Sequence, residues 1–173
     1  MKKERLIALS AFIFFAALTR LIPHPHNFAP IAGMALFGGA HFSDKRLAFL
    51  VPLLAMFLSD LVIGFHSQMA PVYASFVAIV CIGFWVQKSR TVSRIAGGAF
   101  AGSVLFFVLT NFGVWALDSL YPKTGEGLVA CYVAALPFFQ NTLSGDLIYT
   151  AVMFGGFALA EHWAPRLKVP SAV

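Results

Sequence analysis

Charged residues are scarce in this chain. Only 11% of its 173 residues are charged, whereas 60% are hydrophobic and the mean hydropathy is +0.83. Soluble domains carry about 25% charged residues, so the composition excludes that class and indicates an integral membrane protein. At about 20 residues per span, there is room for six transmembrane helices in a single domain, residues 1–173.

Cysteines and catalytic motifs are scarce as well. The two cysteines, Cys81 and Cys131, are not spaced as a CxxC pair, so they do not indicate a disulfide framework. The sequence has no nucleophile–base pattern, no phosphate-binding loop and no HExxH motif. We therefore predict a protein that is not an enzyme and holds no cofactor or metal.

Hydropathy predicts an all-α membrane protein with six transmembrane helices. The first segment follows MKKER and resembles a signal peptide, but it lacks a cleavage-site pattern, so we expect it to be retained as a helix. The second and fourth segments are slightly short for a bilayer core. The predicted helices cover about 6–22, 28–43, 47–65, 71–87, 95–117 and 145–164.

The distribution of basic residues predicts the orientation. Ten of the 12 lysines and arginines lie at the two chain ends or in connections on the same side of the predicted helices. Arg20 and Lys123 lie on the other side. The positive-inside rule makes the ten-residue side cytoplasmic. We therefore expect a multi-pass protein of the bacterial inner membrane with both termini in the cytoplasm. Topology also explains the net charge of +5, so we expect the lipid bilayer and no nucleic acid as a partner.

The long outer connection, 118–144, contains the apolar stretch 127–139. This stretch has only about 13 residues, too few to span, and fits a re-entrant or interfacial segment. Pro137 is expected to end or kink it. Irregular backbone at that depth survives only when it is buried in protein or lines a cavity. We therefore predict that the connection folds over the bundle as a lid.

The stretch from Arg20 to His41, RLIPHPHNFAPIAGMALFGGAH, combines a polar turn with a ladder of small residues. Asn27 is a plausible cap before Pro30 at a helix start. Small residues four apart, such as Ala35 and Gly39, allow a second helix backbone to come close. The turn is either the rim of a ligand site or an ordinary loop over a packing helix.

Ionisable residues inside apolar segments are costly and normally face a partner or a cavity. A ligand contact and a structural hydrogen bond explain Asp60 equally well. Arg20 is placed against the positive-inside trend, and we favour a salt bridge to Asp60, Asp118 or Asp146 over a contact with an anionic ligand. Asp146 is interpreted mainly as a favourable charge at the N-terminus of the last helix.

Amide, aromatic and histidine side chains concentrate on the outer side. Apolar walls with a few orienting polar groups are typical of small-molecule pockets, although an aromatic belt at the interface is the alternative. His24, His26 and His66 are interpreted as solvated loop residues rather than metal ligands. The predicted ligand-binding residues are Arg20, His26, Asn27, Asp60, His66, Asn111, Trp115, Cys131, Tyr132, Phe139, Asn141 and Asp146.

Four motifs resemble those of a family of small, uncharacterised bacterial six-helix membrane proteins. They are RLIPHPxNFAPIAxMALFGGA (Arg20 to Ala40), SDLxIG (Ser59 to Gly64), TNFGVW (Thr110 to Trp115) and GLxACYxxALPFFxNTLxGD (Gly127 to Asp146). This group is in turn similar in architecture to the substrate-binding S components of energy-coupling-factor (ECF) vitamin transporters. The resemblance implies capture of a vitamin-like molecule in an outer pocket closed by the outer loops.

The solitary cobalamin-transporting S components are one candidate relative, in which a cysteine thiolate contacts cobalt. Cys81 and Cys131 are both candidates for that role, and a cobalamin-like ligand is a candidate substrate. Many S components dock on an energising partner through an AxxxA pattern in helix 1. Here Ala8 and Ala11 are each followed by phenylalanine four residues later, which favours a solitary protein.

Two other functions remain as alternatives. One is a membrane enzyme or redox protein using Cys131, Asp60 or the histidines. The other is a non-catalytic assembly subunit that binds another membrane protein through small-residue helix faces, including Gly98 and Gly102.

Overall fold

The computed structural model describes residues 2–168, and over this range the protein is all-helical. The predicted all-α class is therefore confirmed. The helices are α1 (Lys3–Leu18), α2 (Ile31–His41), α3 (Lys45–Ile63), α4 (Met69–Gln87), α5 (Val92–Leu117) and α6 (Gly125–Trp163), with 3₁₀ turns at Thr19–Leu21 and Pro165–Leu167.

Helices α3 to α6 are long and apolar enough to cross a membrane. Helix α1 has 16 residues and α2 has 11, fewer than the about 20 that an upright span needs. The four long apolar helices indicate a membrane protein, and the six-span arrangement stays a prediction.

Helix α2 lies at the centre of the bundle. All of its 11 residues except Ile31 are buried, and the helix contacts each of the other five. Its sequence, IAGMALFGGAH, is apolar on every face, which is typical of a helix surrounded by protein. The other helices therefore pack around the stretch that the sequence marks by its small residues.

Glycines set the distance between α2 and its neighbours. A Cβ atom on Gly39 would lie 2.8 Å from the Cα atom of Gly83 in α4, and one on Gly33 would lie 3.2 Å from the Cβ atom of Tyr149 in α6. A Cβ atom on Gly38 would lie 2.6 Å from Cγ of Pro52 in α3. The predicted close approach of helices to the small-residue ladder is confirmed.

The prediction of a separate re-entrant or interfacial segment at 127–139 is wrong. Helix α6 runs through that stretch and through Pro137 without a break, and it begins at Gly125 rather than at residue 145. The Thr124 side chain accepts a hydrogen bond from the Gly127 amide at 3.2 Å and so caps the helix start.

The helix continues through the proline because its flanking residues are fixed to α5. The Tyr132 hydroxyl donates to the Val108 carbonyl at 2.7 Å, and the Phe139 ring lies 5.1 Å from the Phe107 ring. Packing against a neighbouring helix contributes free energy that offsets the cost of a proline inside a helix. With 39 residues, α6 is about 58 Å long, roughly twice the thickness of a hydrocarbon core.

The ends of the other helices differ less from their predicted positions. Helix α2 starts three residues later than predicted, at Ile31, because the chain first makes a tight turn in which the Phe28 amide donates to the Pro25 carbonyl at 3.0 Å. The other predicted segments begin and end within four residues of the observed helices.

Candidate functional site: a cavity at the start of α2

A buried ion pair joins the 3₁₀ turn after α1 to α3. The Arg20 guanidinium donates to Asp60 Oδ1 at 2.6 Å, and their side chains are 9% and 1% exposed. Arg20 also donates to the Ser59 hydroxyl, and the Tyr73 hydroxyl donates to Asp60 Oδ2 at 2.7 Å. The predicted salt bridge is confirmed, with Asp60 as the partner.

Asp146 lies inside the bundle, 2% exposed. Its Oδ1 accepts from the Ala32 amide at 3.2 Å, and its Oδ2 accepts from the Ser103 hydroxyl at 2.7 Å. Because Asp146 lies well inside α6, the interpretation that it serves the N-terminus of its own helix is wrong. It serves the N-terminus of α2 instead, where a carboxylate interacts favourably with the helix dipole.

Asn27 does not cap α2, contrary to the prediction. The residue at the cap position is Pro30, which offers no side-chain hydrogen bond, and Asn27 lies earlier with φ of 63°. Asparagine tolerates this left-handed conformation better than most residues. Asn141 of α6 donates to the His26 carbonyl at 3.1 Å and so fixes the turn against α6.

A cavity of about 220 Å³ opens at the N-terminal end of α2, and we call it the α2 cavity. It brings together the 3₁₀ turn after α1, the segment before α2, the start of α2, and parts of α3, α5 and α6. Apolar walls with a few polar groups are typical of small-molecule sites. Its polar lining residues are Arg20, His24, Asn27, Thr142 and Asp146, and its apolar ones are Ala29, Ile31, Ala32, Ile63 and Phe106.

Three of the predicted ligand-binding residues, Arg20, Asn27 and Asp146, line the α2 cavity. Asp60 lies behind Arg20, while His26 and Asn141 hold each other beside the turn. His66 is exposed in the loop before α4 and does not line the cavity.

The other five predicted residues pack along α5 and α6 rather than lining the α2 cavity. Cys131 Sγ donates to the Asn111 carbonyl at 3.4 Å, and Trp115 Nε1 donates to the Pro122 carbonyl at 2.9 Å. With Tyr132 and Phe139, they hold the two helices together as a long hairpin. The structure therefore separates this group from the candidate site.

Two polar lining residues, His24 and Thr142, are absent from the predicted set. Thr142 precedes Asp146 by four residues, a spacing that places two side chains on one face of a helix. This signal was available in the sequence, but the interpretation of 127–139 as a separate segment and of 145 as a helix start concealed it. His24 carries no comparable local signal, because only the turn brings it over α2.

A second polar cluster lies at the other end of α2. The Arg5 side chain, 3% exposed, pairs with Glu161 and also donates to the Leu167 carbonyl. Its guanidinium lies 5.1 Å from the centre of the Phe157 ring, and the His41 ring packs 5.1 Å from the same ring. From the sequence, Arg5 was only one of the ten basic residues assigned to the cytoplasmic side, whereas the structure buries it.

The structure also places the cysteines and glycines that the two alternative functions would use. Among the described residues, the only hydrogen-bond partner of the buried Cys131 thiol is a backbone carbonyl, and no three His, Cys, Asp or Glu side chains could hold a metal ion together. Cys81 is exposed on α4. Gly98 and Gly102 face the interior, against Leu36 and Ile79 respectively, so they do not form a free surface for a partner.

The fold and the cavity define a class: an all-helical protein with four helices long and apolar enough to cross a membrane, and with a cavity of apolar walls and a few polar groups at the start of its buried central helix. The chain belongs to a family of unknown function, DUF6580, which matches it over residues 1–167. No curated protein matches the chain, and no solved structure matches it either.

Proposed function

We propose that this protein binds a small molecule in the α2 cavity and carries it across the bacterial inner membrane, as the S components of ECF transporters do. The observation that carries the proposal is the Asp146 carboxylate, which lines the cavity yet is 2% exposed. Both salt bridges found within residues 2–168 involve other residues. A buried carboxylate without a cationic partner is costly, and such groups inside membrane proteins usually serve function.

The cavity limits the ligand's chemistry. In its ionised form Asp146 only accepts hydrogen bonds, so a ligand bound to it would offer a donor such as an amine, amide or hydroxyl. The volume of about 220 Å³ is below the roughly 300–1,000 Å³ of sites for drug-sized molecules. A small vitamin-like compound therefore suits the cavity as it stands, and a cobalamin-sized ligand would require the bundle to open.

The proposed orientation follows from the ten basic residues on one side. The protein would cross the membrane six times with both termini in the cytoplasm, and the α2 cavity would face outward. The turn at 23–27 and the first half of α6 would close over the ligand, held to each other by the Asn141–His26 hydrogen bond. Because helix 1 lacks the AxxxA pattern, we favour a solitary transporter over one docked on an energising partner.

We expect gently purified protein to retain a small molecule and Asp146→Asn to retain it about ten- to hundredfold less, the usual effect of losing a hydrogen bond to a charged group. The measurement is mass spectrometry of solvent extracts from equal amounts of folded protein. Asp118→Asn is the matched control, because Asp118 bonds to Gln68 and does not line the cavity. A compound retained equally by all three proteins, or no compound at all, would contradict the proposal.

The orientation can be tested with two exposed serines. In a variant that lacks Cys81 and Cys131, the substitution Ser119→Cys is expected to give a protein that reacts with a membrane-impermeant maleimide on intact cells. The substitution Ser89→Cys should give a protein that reacts only after the cells are opened, because Ser89 lies in the basic loop before α5. Labelling in the reverse order would place the α2 cavity on the cytoplasmic side.

A further inference from the structure

A second cavity forms a groove between the first part of α5 and the second half of α6. It measures about 450 Å³, and its lining is apolar except for Thr150 and for Arg90 at one end. Small residues create the groove: Ala96, Ala99, Ala151, Gly155 and Ala158. A Cβ atom added to Gly155 would meet no atom within 4 Å, so the space is open at that point.

The groove matches one leaflet of a membrane in length and position. Along α6 it extends from Leu147 to Ala158, which is about 16 Å at the helical rise, and half a hydrocarbon core is about 15 Å. It ends at Arg90, in the short basic loop between α4 and α5. In the proposed orientation this loop lies where the phosphates of the inner leaflet lie.

The charge at that end of the groove is available to a ligand. Within residues 2–168 the Arg90 guanidinium makes no hydrogen bond or salt bridge, and the nearby Glu161 carboxylate pairs with Arg5. Desolvation lowers the pKa of Arg90, but an arginine remains cationic at neutral pH. Its neighbour Arg94 lies over the Trp85 ring, 4.8 Å from the ring centre.

We propose that this groove is a binding site for an anionic phospholipid, with an acyl chain between α5 and α6 and the phosphate at Arg90. Any lipid can fill an apolar groove, so the specific claim is a preference for an anionic headgroup. One arginine beside such a headgroup is worth roughly a fivefold preference. The inference rests on the proposed orientation but not on small-molecule binding in the α2 cavity.

The test places the full-length protein in mixed micelles containing equal amounts of phosphatidylglycerol and phosphatidylcholine with matched chains. After gel filtration, the lipids that remain bound are counted by mass spectrometry. We expect wild-type protein to retain roughly five times more phosphatidylglycerol, and Arg90→Gln to retain the two lipids about equally. Gly155→Leu should reduce retention of both lipids, because its side chain would fill the open part of the groove.

Arg94→Gln is the matched control for general attraction by basic residues. It should leave the preference unchanged, since Arg94 does not line the groove. Equal loss of preference in Arg90→Gln and Arg94→Gln, or no preference in the wild type, would overturn the proposal. Unchanged retention by folded Gly155→Leu would overturn the location. The serine-labelling experiment independently tests the orientation.

Discussion

Arg20→Met is expected to destabilise the protein by about 3–5 kcal/mol, because it leaves the Asp60 carboxylate as an unpaired buried charge. Asp60 is 1% exposed and has Tyr73 as its other side-chain partner, so losing the guanidinium leaves the buried carboxylate with a single side-chain hydrogen bond. Asp60→Asn should be similarly harmful, since it leaves Arg20 unpaired at 9% exposure. The measurement is the free energy of reversible unfolding in detergent, with gel filtration as a check on folding.

The double variant Arg20→Met/Asp60→Asn distinguishes the contribution of the ion pair from that of side-chain packing. Replacing a buried ion pair with neutral groups is often close to neutral, and an asparagine at position 60 can still accept the Tyr73 hydrogen bond. We therefore expect the double variant to be more stable than either single variant, with a favourable coupling energy of roughly 2 kcal/mol or more. If the two single effects simply add, the ion pair is not what holds α1 to α3.

Gly39→Ala is expected to destabilise the protein by about 1–3 kcal/mol, and Gly39→Leu to prevent folding, because both variants overpack the α2–α4 crossing. The added Cβ atom would lie against the Val80 carbonyl and 2.8 Å from the Gly83 Cα atom. Backbone atoms of two helices cannot move apart without disturbing the other contacts of α2. The measurement is the midpoint of thermal unfolding in detergent, followed by gel filtration.

Gly97→Ala is the matched control for this prediction. Gly97 also lies inside a helix, α5, but a Cβ atom there would meet nothing within 4 Å. Alanine favours helices over glycine by up to about 1 kcal/mol, so this variant should be as stable as the wild type or slightly more stable. Equal effects at positions 39 and 97 would mean that helix propensity, rather than close packing, decides the outcome.

Much of the fold could be predicted because hydropathy and small-residue spacing are local properties of a sequence. They predicted the all-α class, five of the six helices to within a few residues, and the close packing around Gly33 and Gly39. The start of α6 also had a local signal: Thr124 as a cap, with Glu126 in the first turn. The predicted start was later because the apolar stretch 127–139 is too short to span and Pro137 was expected to end or kink it.

The candidate site could be predicted only in part. Buried ionisable groups in apolar segments point to partners, so Arg20, Asp60 and Asp146 could all be selected from the sequence. Their partners could not be predicted, since a charge pattern does not say which of several carboxylates lies within 4 Å of the arginine. The position of the aromatic and amide residues of 111–139 could not be predicted for the same reason, as their clustering fits a pocket wall and a helix interface equally well.

The sequence by itself determined that this is an apolar, helical chain with a small-residue segment suited to the centre of a bundle. Those properties depend on composition and on short-range periodicity, which the amino-acid order states directly. Only the tertiary structure decided that α6 continues through Pro137, that Asp60 is the partner of Arg20, and that Asp146 serves the start of α2. Each of these depends on side chains that meet across the bundle, where packing against a neighbouring helix outweighs local preference.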